Sequence, residues 1–248
     1  MKPTFKLHSP ETGTDYSIYV NAPRATKGAG PWPVVLFTDG DDQFTTAVAA
    51  YKKERAADRV PALILVGVGY GAVYAKPQNR RGRDYTPVAH SDEPSSGGAD
   101  IFLDFIRTTL WPELARRYHV HASVRGIGGH SLGSLFVLHA LFHKKPFFTH
   151  HLASAPSIWW ADGAMLGQAK KLRTQKTKLP ARLFLSVGEN DSESMAGDLT
   201  RLEQQLIAKP FAGLDLMTRR FVDKNHFNVL PIAFGTGLGM LFASRPGE

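Results

Sequence analysis

Residues 126–142, GIGGHSLGSLFVLHALF, decide the fold of this chain. A short apolar run ends in two glycines, Gly129-His-Ser131-Leu-Gly133 follows, and the sequence continues without a helix breaker. The pattern G-x-S-x-G is typical of a sharp turn from a strand into a helix, with serine at the apex. Glycine is needed on both sides because Cβ atoms would collide where strand and helix approach. The stretch therefore predicts a nucleophilic Ser131; the alternative is a glycine-rich turn with an ordinary N-cap serine.

The bulk composition is that of an ordinary globular protein. The chain has 248 residues, 43% of them hydrophobic and 21% charged, which predicts one α/β domain over residues 1–248. No apolar run reaches the roughly 18–20 residues that span a bilayer. The first residues contain no apolar segment, so we expect no signal peptide and a cytoplasmic or periplasmic location. The absence of cysteine excludes disulfides, a thiol nucleophile and a zinc–thiolate site.

The formal charge of +8 raises the question of an anionic partner. The basic residues are scattered in small groups, without a basic tail or a nucleic-acid motif, so we expect no nucleic-acid partner. Most of them are interpreted as solvated surface. The group Arg80, Arg81 and Arg83 is retained as a candidate substrate-facing patch.

Strand and helix patterns alternate along the chain. This predicts a single α/β domain, with a mostly parallel sheet, an N-terminal antiparallel hairpin and helices on both faces. Pro112 predicts a break near Trp111 in the helix over 99–118. A long loop without periodicity is expected over 75–98. The predicted strands are 5–7, 16–20, 34–37, 63–66, 124–127, 151–155, 182–187 and 217–222, and further helices are expected near 43–58, 168–175 and 228–244.

A serine nucleophile needs a base and a group that orients the base. In this architecture the chain order is serine, acid, histidine. Of the ten histidines, only His226 follows the last predicted strand and precedes the last helix, so it is the candidate base. The acid is expected just after the strand 182–187, where Asp191 is favoured and Glu189 and Glu193 remain alternatives.

The tetrahedral intermediate requires two backbone N–H donors. One is expected from Leu132, directly after the nucleophile. The other is expected from Asp41, in the turn after the strand 34–37. Backbone donors do not depend on side-chain type, so the sequence predicts the location of this second donor better than its residue number.

Several blocks together resemble the putative-esterase (esterase D-like) family of α/β-hydrolases, and most closely its siderophore-esterase subgroup. The resemblance covers residues 5–240, and Ser134 departs from it because glycine is commoner there. The elbow is shared by the whole superfamily, whereas the other blocks are more specific when they occur in this order. The blocks are FTDG at 37–40, RDYTP at 83–87, GGADIFLDF at 97–105, GHSLGSLFVL at 129–138 and SAPSIWW at 154–160.

The resemblance implies a serine esterase that acts on enterobactin- or salmochelin-type trilactones, with no metal or organic cofactor. Its partner would be a small-molecule ester, ferric siderophores included. Loop 75–98 with Arg80, Arg81 and Arg83, and Trp159 and Trp160, would line the cleft. The alternatives are that Arg83 pairs with Asp84 and that the tryptophans pack in the core or a lid. Alternative functions are a short-acyl or aryl carboxylesterase, an acyltransferase, or a non-catalytic binding module; the oligomeric state stays open.

Overall fold

Eight strands form one sheet in the computed structural model, which describes residues 1–24 and 29–243. The spatial order is β1-β2-β4-β3-β5-β6-β7-β8. β2 runs antiparallel to β1 and β4, and the remaining neighbours are parallel. This confirms the predicted mostly parallel sheet with an N-terminal hairpin. The strands are β1 (Phe5–Ser9), β2 (Thr14–Asn21), β3 (Trp32–Phe37), β4 (Ile64–Gly69), β5 (Val120–His130), β6 (His150–Ser154), β7 (Lys178–Gly188) and β8 (Ala212–Phe221).

Helices cover both faces of the sheet, as predicted. One apolar layer packs α3 and α5–α7 against the sheet, and the other packs α1 and α8. The central strands are buried on both faces, which explains their continuous apolar runs. The helices are α1 (Gly40–Ala56), α2 (Arg81–Tyr85), α3 (Ala99–Phe105), α4 (Trp111–Arg117), α5 (Leu132–Leu141), α6 (Trp160–Gln175), α7 (Glu193–Ala208) and α8 (Leu230–Phe242).

Several elements differ from the sequence prediction in their extent, among them α6, which begins at Trp160 rather than near residue 168. α1 begins at Gly40 rather than at residue 43, because Asp39 adopts a left-handed conformation with φ 53° and turns the chain directly into the helix. The segment 75–98, expected to be loop throughout, contains α2. The closing helix α8 ends at Phe242, and the end predicted at residue 244 lies outside the described residues.

The predicted break near Trp111 has a local cause upstream of the proline. A π-helical segment, Ile106–Leu110, separates α3 from α4, and Pro112 lies in the first turn of α4. Proline has no N–H to donate to the residue four positions earlier, so a change of helical register there leaves fewer unpaired groups. α6 has a similar irregularity, with positive φ angles from Ala161 to Gly163.

Candidate active site

Ser131 is the single residue between β5 and α5, at the carboxyl edge of the sheet. Its backbone angles are φ 58° and ψ −122°, a strained conformation for a residue with a Cβ atom. Its N–H donates to Ser154 O at 3.0 Å, and its Oγ lies 3.4 Å from Ser157 Oγ. The serine therefore stands at the apex of a tight turn, where the sequence pattern predicted it.

The glycines of this turn are required by close contacts within the turn and with the segment that joins β3 to α1. A Cβ atom on Gly133 would lie 2.2 Å from Thr38 Oγ1 and 3.0 Å from an Asp39 oxygen. A Cβ atom on Gly129 would lie 2.6 Å from the main chain of Gly133. The end of β3 and the start of α1 are thus packed directly against the serine turn.

His226 and Asp191 meet at the ends of β8 and β7. His226 Nδ1 lies 3.0 Å from Asp191 Oδ2, and the side chains are 23% and 2% exposed. The loops that follow β7 and β8 are in direct contact. Gly188 lies so close to Lys224 that a Cβ atom on Gly188 would be 2.3 Å from Lys224 O. Of the three carboxylates that the sequence left open, Asp191 pairs with His226.

The other two carboxylates are exposed. Glu189 follows β7 immediately, and Glu193 lies in the first turn of α7. Asp191 differs from both because its loop folds back under His226. Its other oxygen accepts a hydrogen bond from Ser192 N at 2.8 Å, so the carboxylate is held from two sides.

His130 connects the histidine loop to the serine turn. Its ring centroid is 4.6 Å from that of His226, with the planes inclined by 41°. Burial, with a contribution from His226, lowers the pKa of His130 to about 3. No local sequence pattern signals this ring contact of His130. Since His130 immediately precedes Ser131, the contact brings Ser131, His226 and Asp191 into one site.

The two predicted oxyanion donors lie at neighbouring helix N-termini. Leu132 and Asp41 occupy the first turns of α5 and α1, where N–H groups have no intrahelical acceptor. The Asp41 carboxylate accepts hydrogen bonds from Tyr19 Oη at 2.5 Å, Tyr70 N at 2.5 Å and Gly71 N at 3.1 Å. This side chain therefore fixes the start of α1 against β2 and the end of β4.

Arg81, predicted to contact substrate, forms a largely buried ion pair. It donates to both Asp39 oxygens, from Nε at 2.9 Å and from Nη2 at 3.1 Å. Its guanidinium also lies 4.8 Å from the centre of the Tyr74 ring. Burial raises the pKa of Asp39, and the charge of Arg81 opposes that rise. The sequence did not indicate that Asp39 pairs with Arg81, because the residues after the strand 34–37 were identified only as a turn.

Arg83 also has a protein partner. It donates to Asp84 Oδ1 at 2.7 Å and to Thr14 Oγ1 at 2.9 Å, so it ties α2 to the N-terminal hairpin. The pairing with Asp84 was the alternative to a substrate contact. Arg80, in contrast, has an exposed side chain.

The two tryptophans have different surroundings. Trp160 is buried, and its Nε1 donates to Val88 O at 3.0 Å, which fastens loop 75–98 to α6. Trp159 is 44% exposed. The packing alternative therefore describes Trp160, whereas Trp159 remains available to a ligand.

Residues 1–24 and 29–243 contain neither a candidate metal centre nor a membrane-spanning helix. No three His, Cys, Asp or Glu side chains in these ranges are grouped in a way that could hold a metal ion. No helix in the same ranges is both long and apolar enough to cross a membrane.

Comparison with known proteins gives a consistent set of relatives. The sequence profile of the family described as Putative esterase matches residues 9–209. The Bacillus subtilis ferri-bacillibactin esterase BesA is 30% identical over 251 residues, covering 93% of this chain and 85% of that protein. The Aspergillus fumigatus siderophore triacetylfusarinine C esterase is 36% identical over 169 residues, covering 64% of this chain and 57% of that protein. The crystal structure of the BES protein from Bacillus cereus superimposes with a TM-score of 0.86 at 29% identity, covering 97% of this chain and 94% of that one.

Proposed function

This chain belongs to the putative esterase family of ester hydrolases, and on that premise we propose that it is a serine esterase that cleaves siderophore esters through an acyl-enzyme. The observation that carries the proposal is the hydrogen bond between His226 and the buried Asp191, beside the strained turn of Ser131. A base, its orienting acid and a hydroxyl at one sheet edge are the groups that acyl transfer needs.

In the first half of the reaction, Ser131 Oγ attacks the ester carbonyl carbon and its proton passes to His226. Because Nδ1–H is donated to Asp191, Nε2 is the ring nitrogen that remains to accept that proton. The negative charge of Asp191 then stabilises the imidazolium. The serine hydroxyl lies 3.4 Å from Ser157 Oγ, and proton transfer requires it to turn towards His226.

The carbonyl oxygen becomes an oxyanion in the tetrahedral intermediate. We assign its two donors to the N–H groups of Leu132 and Asp41, whose helix dipoles also favour negative charge at that position. Collapse of the intermediate expels the alcohol, which takes the proton from His226. Water then attacks the acyl-enzyme with His226 as base, releasing the carboxylic acid and free Ser131.

The substrate class rests on the relatives. The fungal enzyme is named as a siderophore esterase and BesA as a ferri-bacillibactin esterase, and the aligned region spans 57% of the fungal protein and 85% of BesA. A trilactone siderophore offers three equivalent esters, each cleaved by the same chemistry. The exposed Trp159 and Arg80 are the candidate contacts for the bulky substrate at the mouth of the site.

The decisive experiment is product analysis by mass spectrometry after incubation with a catecholate trilactone, both ferric and iron-free. Wild type is compared with Ser131→Ala, with a short p-nitrophenyl ester as the reference substrate. We expect Ser131-dependent ring opening much faster than nitrophenol release. Nitrophenol release with an intact trilactone would leave a short-acyl or aryl esterase and remove the siderophore assignment.

The acid and the nucleophile are tested separately. Asp191→Asn keeps the shape of the side chain but removes its charge, and we expect kcat to fall by about a hundredfold or more. Glu189→Gln, a nearby exposed carboxylate, is the matched control and should retain activity.

Fluorophosphonate should label Ser131 in the folded wild type. Folded protein that carries no such adduct would favour a non-catalytic binding module instead.

A further inference from the structure

The ring of the proposed base has little support from its own segment. His226 lies in the irregular stretch between β8 and α8, and its neighbour Phe227, which is 89% exposed, meets the His226 ring only edge-on, with the centroids 5.7 Å apart. The hydrogen bond to Asp191 fixes the position of Nδ1, but a single bond leaves the ring plane free to rotate about it. A second contact is needed to define that plane.

His130 supplies a contact on the face of the His226 ring. The centroids are 4.6 Å apart and the planes are inclined by 41°, within the range of favourable offset ring contacts. The ring of His130 therefore lies against the ring of the proposed base and can limit its rotation.

His130 is itself rigidly anchored. It is the last residue of β5, only 7% exposed, and its Nδ1 lies 3.2 Å from Ser154 Oγ at the end of β6. The two residues are register partners in the sheet. A buried imidazole in this position stays neutral, so it places no charge against the imidazolium that forms on His226.

We propose that His130 is a positioning residue for the esterase reaction: its ring holds the plane of His226 while Asp191 holds Nδ1. The inference rests on the proposed function, in which His226 is the base. Catalysis by a positioned base is sensitive to displacements of about 1 Å, which can cost on the order of a hundredfold in rate. The contribution of His130 should therefore affect turnover rather than substrate binding.

Two substitutions separate the ring contact from the hydrogen bonds. His130→Phe keeps an aromatic face and removes the hydrogen-bonding nitrogens, whereas His130→Asn keeps a polar group near Ser154 and removes most of the face. His139→Asn is the matched control, because His139 is a second buried histidine, lies on α5 and is bonded to Asp100. Each variant is assayed for kcat and KM with a p-nitrophenyl ester, for the rate of fluorophosphonate labelling, and for urea unfolding.

We expect His130→Asn to lower kcat and the labelling rate by about 10- to 100-fold with KM changed by less than about twofold. His130→Phe should recover kcat to within about threefold of wild type, and His139→Asn should match wild type. If the asparagine variant fails to fold, Ser154→Ala loosens the anchor with His130 in place and should lower kcat about threefold.

Wild-type kcat in His130→Asn, or equal losses in the asparagine and phenylalanine variants, would overturn the positioning role. If His130→Asn does not fold and Ser154→Ala is tested instead, an unchanged kcat in Ser154→Ala would also overturn the positioning role. The proposed function has its own controls, Ser131→Ala and His226→Ala. Activity retained in either of these would reject the function itself, whereas inactive controls with unaffected His130 variants would reject only the inference.

Discussion

Removing the guanidinium of Arg81 should destabilise the protein through Asp39. The Asp39 side chain is fully buried, whereas Arg81 is 24% exposed and makes two hydrogen bonds to it. Asp39 also starts α1, and its N–H donates to Tyr85 Oη at 2.9 Å. In Arg81→Ala the carboxylate would remain buried without a countercharge.

The size of the effect follows from this burial. Removing one partner of a buried ion pair costs about 3–5 kcal/mol, mostly as the penalty of the charge left behind. Because Arg81 is partly exposed and Asp39 can take up a proton, we expect the lower end, about 3 kcal/mol. Arg81→Lys keeps the charge but loses the bidentate geometry, and should cost about half as much.

Urea unfolding with linear extrapolation measures these differences. Combining Arg81→Ala with Asp39→Asn removes the stranded charge, and asparagine tolerates the left-handed backbone, so the double variant should be more stable than Arg81→Ala alone. Arg80→Ala, an exposed neighbour, should change the unfolding free energy by less than about 0.5 kcal/mol. Additive losses in the double variant, or an Arg81→Ala protein as stable as wild type, would refute the buried-pair argument.

Steric crowding at Gly133 and the burial of His151 should also affect the stability of the fold. Gly133→Ala should lower the free energy of unfolding by about 2–3 kcal/mol, because its Cβ atom would lie 2.2 Å from Thr38 Oγ1. Gly167→Ala, which lies inside α6 with open space around it, should raise the free energy of unfolding by about 0.5–1 kcal/mol. Similar values for the two variants in urea unfolding would contradict the steric argument. Burial, helped by His150, lowers the pKa of His151 to about 3, so below about pH 6.5 the unfolded chain binds a proton that the folded chain does not. The unfolding free energy should therefore fall by about 2 kcal/mol more in wild type than in His151→Leu between about pH 7 and pH 5, and equal losses would show that His151 is not the group responsible.

The sequence predicted the sheet well because the signal for a strand buried on both faces is local. A run such as ILVGVG in β4 needs no knowledge of its neighbours. α2 carries no such signal. Five residues are too few for a helix to be stable alone, and α2 is held by contacts made by Arg81 and Arg83 with distant segments. Tertiary contacts, rather than local propensity, produce this helix.

In the candidate site, too, some residues have a signal in the sequence and others are determined by tertiary contacts. The G-x-S-x-G pattern was enough to single out Ser131 and chain order to single out His226, but the choice of Asp191 depends on how two loops pack. The arginines were ambiguous for a similar reason, since the partner of Arg81 lies 42 residues away along the chain. Arg81 and Arg83 donate their hydrogen bonds to protein acceptors, and of the three arginines of the cluster only Arg80 is exposed, the other two being half-buried. An anionic substrate that approaches this cluster would therefore meet Arg80 first, and the electrostatic contribution of the other two would come from a distance.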